Sequence, residues 1–342
     1  MGLRRHVLRW LAPLCLAFGL LPTAAAAGPE AGPGASATDA RAWLARIHAA
    51  AHGRNYQGTM VFTTGGVVSS TRVAHFCVGD QVFERLEALD GRQRQVFRHN
   101  EVVHTLWPQS GTAVVERRLQ QLSLPSATQS VDPRALEQYD LRPEGRDRVA
   151  GREAWVMLLQ PRDTWRFAQR VWADQETGLM LRADVIGPAR TVLESAAFTE
   201  VDIDVKPQPD SVLQGLRRLD GLRVLRPLQV PTQLEAQGWT LTRPVPGFHL
   251  ASCVRRMGDQ QATSEGNASP REVLQAVYSD GLTHVSLFVE AFDAVRHRRP
   301  LQAQFGATHS LAVRRGEHWI TAMGDVPAAT LKQFVEALER RP

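Results

Sequence analysis

His75 and Cys77 stand two residues apart, so in an extended chain their side chains leave on one face, where an imidazole and a thiol can act as base and nucleophile. Such a pair needs a third group to orient the imidazole, and no neighbour in the sequence supplies one. Packing is therefore the reading taken for both. After the leader described below, the cysteines are Cys77 and Cys253. In an oxidising compartment they can form one bridge, and otherwise they are two buried thiols behaving as small apolar side chains. Both alternatives stand. His48 and His52 have the four-residue spacing by which one helix face binds a metal, but the alanines between them add no carboxylate, and a solvated face is expected. Glu84, Arg85, Asp90, Arg92 and Arg94 read as exposed ion pairs, each worth little. No Gly-rich phosphate loop, zinc-type cysteine pairing or Gly-x-Ser-x-Gly elbow occurs. The chain is expected to be no enzyme and to hold no metal or cofactor.

The aromatic residues invite a different chemistry. Trp107, Trp155, Trp165 and Trp172 fall in one half of the chain among Phe62, Phe83 and Phe97. An ordinary core is the default reading. A concave apolar sheet face would instead mark a ligand site, and Met60, Phe62, Phe97, Trp107, Trp155 and Trp172 are the candidate contacts for an acyl chain.

These side chains require a sheet. Asp39–His52 carries Trp43, Leu44, Ile47 and Ala51 at helical spacing, with Gly53 as a stop. The period then changes to two. Tyr56, Met60 and Phe62 share a strand face, and Val67–Cys77, Val82–Leu89, Arg94–Arg98 and Val102–Trp107 continue an antiparallel meander broken by Gly65-Gly66, Gly79-Asp80, Asp90-Gly91 and His99-Asn100. The pattern weakens over 108–143, read as a flap or short helices. It resumes at Arg146–Val149, Trp155–Leu159, Phe167–Ala173, Leu179–Ile186 and Val192–Val205. In Trp155–Leu159 both faces are apolar, so both sides of that strand must be covered.

Lys206-Pro207-Gln208-Pro209 ends the meander, and 207–228 reads as a connecting linker. A smaller unit follows, with Phe248–Met257 and a hairpin turning at Asp280-Gly281. The capping box Ser269-Pro270-Arg271-Glu272 argues for a helix there, but Asp-Gly between alternating runs is the stronger signal, and strand is expected from Glu272. Ser310–Val313 and His318–Met323 form another hairpin, and Pro327 opens a closing helix with the stripe Leu331, Phe334, Val335 and Leu338.

At the start, Arg4, Arg5 and Arg9 precede the apolar run Leu11–Leu21, and Ala25-Ala26-Ala27 offers a cleavage site. Residues 1–27 thus read as a secretory signal peptide too short to span a bilayer, and 28–37 as a flexible leader. Loss of three arginines lowers the formal charge from +5 to +2, which removes the main support for a nucleic-acid partner. The expected fold class is α+β, with units at 38–206 and 229–342.

The blocks Trp43-Leu44, Asn55-Tyr56-x-Gly58-Thr59, Ser70-x-Arg72-Val73-x-His75, Glu84-Arg85-Leu86-x-x-Leu89-Asp90-Gly91 and Arg94-x-Val96 resemble the N-terminal domain of the RseB/MucB family. Trp172-x-Asp174-x-x-Thr177-Gly178-Leu179, Phe198-Thr199-x-Val201-Asp202-Ile203, Pro246-Gly247-Phe248, Tyr278-Ser279-Asp280-Gly281-Leu282-x-x-Val285-Ser286 and Gly324-Asp325-Val326-Pro327 resemble the same family in the same order. The resemblance implies a periplasmic regulator of the sigma-E type envelope-stress response. Such a protein binds the periplasmic region of an RseA/MucA-like membrane anti-sigma factor, shields it from regulated proteolysis and senses lipid-like components such as a lipopolysaccharide fragment. It further implies an unclosed antiparallel β-barrel around helices, like that of lipoprotein carriers, and partner contacts through the smaller unit, for which Tyr278, Leu282 and Phe288 are the candidates. A homo-oligomer is a further candidate state. The Cys77 and Cys253 pair has no place in the family pattern. A periplasmic lipid or lipoprotein carrier is the alternative, although a carrier needs no second unit. An exported hydrolase is a remoter one, lacking a visible nucleophile and base.

Overall fold

The computed structural model describes residues 37–117, 136–257 and 272–341. The signal peptide and almost all of the leader, the middle of the expected flap, and Ser269–Arg271 of the capping box lie outside the described residues.

Helix α1 (Ala37–Gly53) opens the fold as expected, with Asp39 in its first turn, where a carboxylate opposes the positive end of the helix dipole. Its stripe of Trp43, Leu44 and Ile47 is buried. The strands that follow are β1 (Tyr56–Thr64), β2 (Val67–Val78), β3 (Gln81–Ala88), β4 (Gln95–His99), β5 (Val102–Trp107) and β6 (Thr112–Arg117). After the undescribed 118–135 come β7 (Tyr139–Val149), β8 (Arg152–Pro161), β9 (Ala168–Asp174), β10 (Met180–Ile186) and β11 (Val192–Ile203). They form one sheet of twelve strands in the order β12-β6-β5-β4-β3-β2-β1-β11-β10-β9-β8-β7, where β12 is Arg223–Leu225. The two edge strands do not pair, so the sheet is unclosed. β1 and β11 zip the two meanders together, and a Cβ at Gly58 would run into the Glu200 carbonyl on β11.

Two expectations are corrected here. The stretch 108–143 is not simply a flap, since Thr112–Arg117 pairs with β5 and Tyr139 already begins β7. The segment 207–228 is not a bare linker either. Helix α2 (Pro209–Arg217) uses Pro209 at its start, where a missing N–H costs nothing. It lays Val212 against Ala74, Phe76, Phe83, Phe97 and Leu106, and β12 then joins β6 in parallel. Two prolines end a strand, but they do not prevent a helix from starting.

The second sheet holds seven strands in the order β13-β15-β16-β17-β20-β19-β18: β13 (Leu228–Pro231), β15 (His249–Met257), β16 (Glu272–Ser279), β17 (His284–Ala291), β18 (Leu301–Phe305), β19 (Thr308–Arg315) and β20 (His318–Gly324). Helix α3 (Ala328–Ala337) buries Leu331, Phe334 and Val335 against it, while β14 (Trp239–Leu241) pairs with β21 (Leu338–Arg340). The Asp280-Gly281 hairpin forms as expected, from Glu272 onward.

The apolar strand β8 is covered on both sides. Met157 and Leu159 pack with Trp43, Leu44 and Ile47 of α1, whereas Val156 joins Met60, Phe62, Trp172 and Phe198 in a separate cluster.

Helix α2 is seated by the absence of a side chain at Gly215, because a Cβ there would penetrate the Phe97 ring. Overpacking of this kind costs roughly 1–3 kcal/mol. Gly215→Leu is expected to lower the denaturant midpoint accordingly in an equilibrium unfolding measurement, with the slope unchanged.

Candidate functional site

The two sheets meet around one buried carboxylate. Asp280 sits in the β16–β17 turn, where its Oδ1 accepts hydrogen bonds from the Leu282 N–H (2.9 Å) and the Thr283 N–H (2.8 Å). Its Oδ2 faces the first sheet and accepts from the Tyr139 hydroxyl at 3.1 Å. Arg166, in the β8–β9 connection, brings Nε to 2.7 Å of the same oxygen, and both side chains have no solvent exposure. That contact is an ion pair lying off the hydrogen-bond direction, which leaves the buried Nε–H without a hydrogen bond, while Nη1 donates to Asp163 Oδ2 at 2.5 Å and Nη2 to the Pro246 carbonyl at 2.7 Å. It also stacks over Phe248, 4.9 Å from the ring centre. Burial, and then the Asp280 charge, push the Tyr139 hydroxyl well above its ordinary pKa, which keeps it a donor.

Further ties flank this joint. Thr330 Oγ1 of α3 donates to the Trp165 carbonyl at 2.7 Å, and Trp165 packs into the core of the second sheet. Conversely, Leu282 and Ala307 belong to the cluster under α1. Glu194 of β11 is buried and accepts the Ala307 N–H at 3.0 Å. Burial, followed by the charge of Asp325, raises its pKa to about 7 against the opposing pull of the Ala307 and Thr308 N–H groups. On the other flank Arg256 of β15 pairs with Glu116 of β6 at 3.4 Å.

The second unit also carries an open groove of about 580 Å³ between β19 and α3. Leu311, Val313, Leu331 and Val335 form its apolar walls, and it is also lined by Arg314, Arg315 and Lys332, with Glu336 pairing Lys332 at 3.8 Å. An apolar trough with cations beside it is chemically suited to an acyl chain carrying an anionic head.

The residues singled out in the sequence separate into several environments. Met60, Phe62 and Trp172 pack together and are buried, so they present no open face; Trp172 also donates its indole N–H to Asp147 at 2.9 Å. Phe97 is buried apart from them, beneath α2. Trp155 is half-buried with the Arg146 guanidinium 4.4 Å from its ring centre, and Trp107 is half-buried at the end of β5. The expectation of one concave aromatic face is corrected: the curl of the sheet and α2 close it with the protein's own side chains. Tyr278 and Leu282 are buried in two different clusters, and Phe288 is half-buried on β17, so these three do not form a single exposed patch.

Cys77 and Cys253 are both free thiols, Cys77 on β2 of the first sheet and Cys253 in the core of the second, and the bridge considered above is not formed. His48 and His52 stack on one another, 4.1 Å between ring centres. No group of three metal-ligating side chains occurs among the described residues. Glu84 is corrected from a solvated face to a buried position, where it meets His75 and Arg98. The register made this legible, because a turn at Gly79-Asp80 places His75 opposite Glu84. The residues of the joint were missed. Asp280 was visible as a turn former, but nothing local links it to Arg166.

The MucB/RseB N-terminal domain family model matches residues 39–216 and the MucB/RseB C-terminal domain model matches residues 233–339. The chain belongs to the MucB/RseB family. Among curated relatives, the sigma factor AlgU regulatory protein MucB of Pseudomonas aeruginosa is 28% identical over 316 residues, covering 91% of this chain and 93% of the relative. The sigma-E factor regulatory protein RseB of Escherichia coli K12 is 28% identical over 314 residues, covering 89% and 92%. Among solved structures, the Pseudomonas aeruginosa MucA/MucB complex is similar with 26% identity and a TM-score of 0.66, over 89% of this chain and 99% of that one. MucB in complex with MucA(peri) gives 25% identity and a TM-score of 0.64, over 90% of this chain and 100% of that one. In this MucB/RseB chain, no helix among the described residues is long and apolar enough to cross a membrane.

The joint yields two expected outcomes. Removing one partner of a buried pair strands the other charge, at roughly 3–5 kcal/mol. Asp280→Asn and Arg166→Met are each expected to destabilise by that order in thermal unfolding, with the double variant losing less than the sum. Glu194 gives a pH dependence of known sign. Its folded pKa of about 7 lies above the ordinary carboxylate value, so the folded state binds the extra proton. Its stabilising contribution is complete below about pH 4.5 and is lost as the pH rises through 7. Unfolding free energies measured across this window should show a downward component with rising pH that Glu194→Gln abolishes.

Proposed function

We propose that this chain is a periplasmic, non-enzymatic regulator that binds the periplasmic region of a membrane anti-sigma factor. It shields that region from regulated proteolysis and yields it when a lipid-like envelope component binds. The observation that carries the reading is the likeness, over nine-tenths of the chain, to MucB crystallised with MucA(peri). The secretory leader supports the compartment. The groove beside α3 supports the lipid, and we assign the ligand there instead of to the closed aromatic face of the first sheet.

Coupling follows from linkage. If the anti-sigma segment and the lipid prefer different arrangements of the chain, each lowers the affinity of the other by the same factor. The joint around Asp280 is the element placed to carry that difference, because it ties the hairpin at Tyr278 and Leu282 to the first sheet while α3 reaches Trp165.

Fluorescence anisotropy of a labelled anti-sigma periplasmic segment tests both parts. Saturable binding that weakens on adding anionic lipid is expected. Absence of any binding would remove the regulatory reading, and binding indifferent to lipid would remove the coupling. Near a charged lipid surface each cation contributes about 1 kcal/mol, so Arg314→Glu with Lys332→Glu should weaken the lipid response by more than about fivefold while leaving the segment's affinity without lipid intact.

A further inference from the structure

The cluster on β2 supplies the third group that the sequence lacked. His75 Nδ1 lies 2.9 Å from Glu84 Oε1, and Glu84 Oε2 receives the Arg98 guanidinium at 3.1 Å. A carboxylate cannot donate, so Nδ1 carries the proton toward it and Nε2 faces Cys77 Sγ, 3.3 Å away. His75 is buried and held flat by Tyr56, whose ring stacks on it at 5.1 Å and 11°. Cys77 is half-buried, and its thiol donates to the His52 carbonyl 2.8 Å away at the end of α1. Nucleophile, base and orienting carboxylate thus touch one another in that order, and Cys77, half-buried, is less enclosed than buried His75 and Glu84. The proposed regulatory reading does not use this arrangement, and Cys77 lies outside the blocks that carry the family resemblance, although His75 and Glu84 lie inside them. The other free thiol, Cys253, lies in the core of the second sheet.

We infer that Cys77 is a thiol modification site that reacts with small disulfides. Sγ attacks one sulfur of R–S–S–R, the new Cys77–S–S–R bond forms as the old S–S bond breaks, and the second sulfur leaves as R–S⁻. Passage of the thiol proton to Nε2 of His75 gives a thiolate beside an imidazolium, and that imidazolium then delivers the proton to the leaving sulfur as R–SH. One disulfide is consumed and one is made, so the exchange balances without any further oxidant. Glu84 is a positioning residue that fixes the imidazole tautomer. The adduct occupies the place of the His52 carbonyl contact and so acts on the end of α1.

The charged and titratable groups facing the pair are Tyr56 from β1, Glu84 from β3 and Arg98 from β4, while α1 contributes the His52 backbone carbonyl. Burial pulls His75 down, but its hydrogen bonds to Cys77 and Glu84, with their charges, raise it to about 9. The ring therefore retains its proton toward the Glu84 carboxylate across neutral pH.

Incubating the full folded chain with glutathione disulfide, followed by acid trapping and peptide mass mapping, tests the site. The adduct is expected on Cys77 and not on Cys253, formed at least about tenfold faster than in Glu84→Gln or His75→Asn, the scale of positioned acid–base assistance. The wild-type rate should vary little between about pH 6 and pH 8, whereas an unassisted thiol gains about tenfold per pH unit below its pKa. If a variant fails to fold, the wild-type profile still decides. A rate rising like that of an unassisted thiol, equal labelling of Cys253, or folded variants that react as fast as wild type would each overturn the assignment.

Discussion

A buried charge must be matched, and in this chain the match crosses between two sheets. Asp280 is drawn out of water by the β16–β17 turn, where its Oδ1 is committed to two backbone N–H groups. Its remaining oxygen can be satisfied only by Tyr139 and Arg166 of the first sheet. An unpaired carboxylate there would cost several kcal/mol, so the hairpin cannot leave the first sheet cheaply. The apolar contacts follow the same geometry, with Leu282 and Ala307 entering the core under α1 and Trp165 entering the other core. The two units thus share a boundary with a buried ion pair at its centre, apolar contacts around it and the Arg256–Glu116 pair on one flank.

This constraint shapes the regulatory reading. The sequence of 207–228 reads as a connecting linker, but α2 and β12 bind that segment to the first sheet. Any change of state must therefore pass through the joint and not through a free tether. The candidate ligand groove lies on the far side of α3 from the helix's contact with Trp165, so a ligand pressing on α3 acts on an element already tied to the first sheet. The proposed coupling between two binding events requires that this boundary have two packed arrangements that the two ligands favour differently.

Much of the fold was legible because period-two alternation and Gly-containing turns are local signals. β1 to β5, β8 to β11 and the Asp280-Gly281 hairpin follow from them, and α3 follows from Pro327 and an apolar stripe at helical spacing. β6 was hidden because Thr112–Arg117 is short and borders an irregular stretch. α2 was hidden because Pro209 reads equally well as a strand terminator and as a first helical residue. The candidate site was far less legible. Met60, Phe97 and Trp155 were grouped as one apolar surface, yet sheet curvature sends them to separate environments. Arg166 and Asp280 are far apart in sequence, and no periodicity encodes a pairing between a loop of one sheet and a turn of another. The His75–Glu84 register lies between these extremes, since it is fixed by the position of a tight turn.

The central claim, that Asp280 locks the second unit onto the first, is tested most directly by native-state hydrogen exchange at the Leu282 and Thr283 amides. Both N–H groups are held by the buried Asp280 carboxylate. The account predicts exchange as slow as that of the β1–β11 ladder, opening only with global unfolding. Fast exchange at these two amides while the β1–β11 ladder stays protected would contradict it.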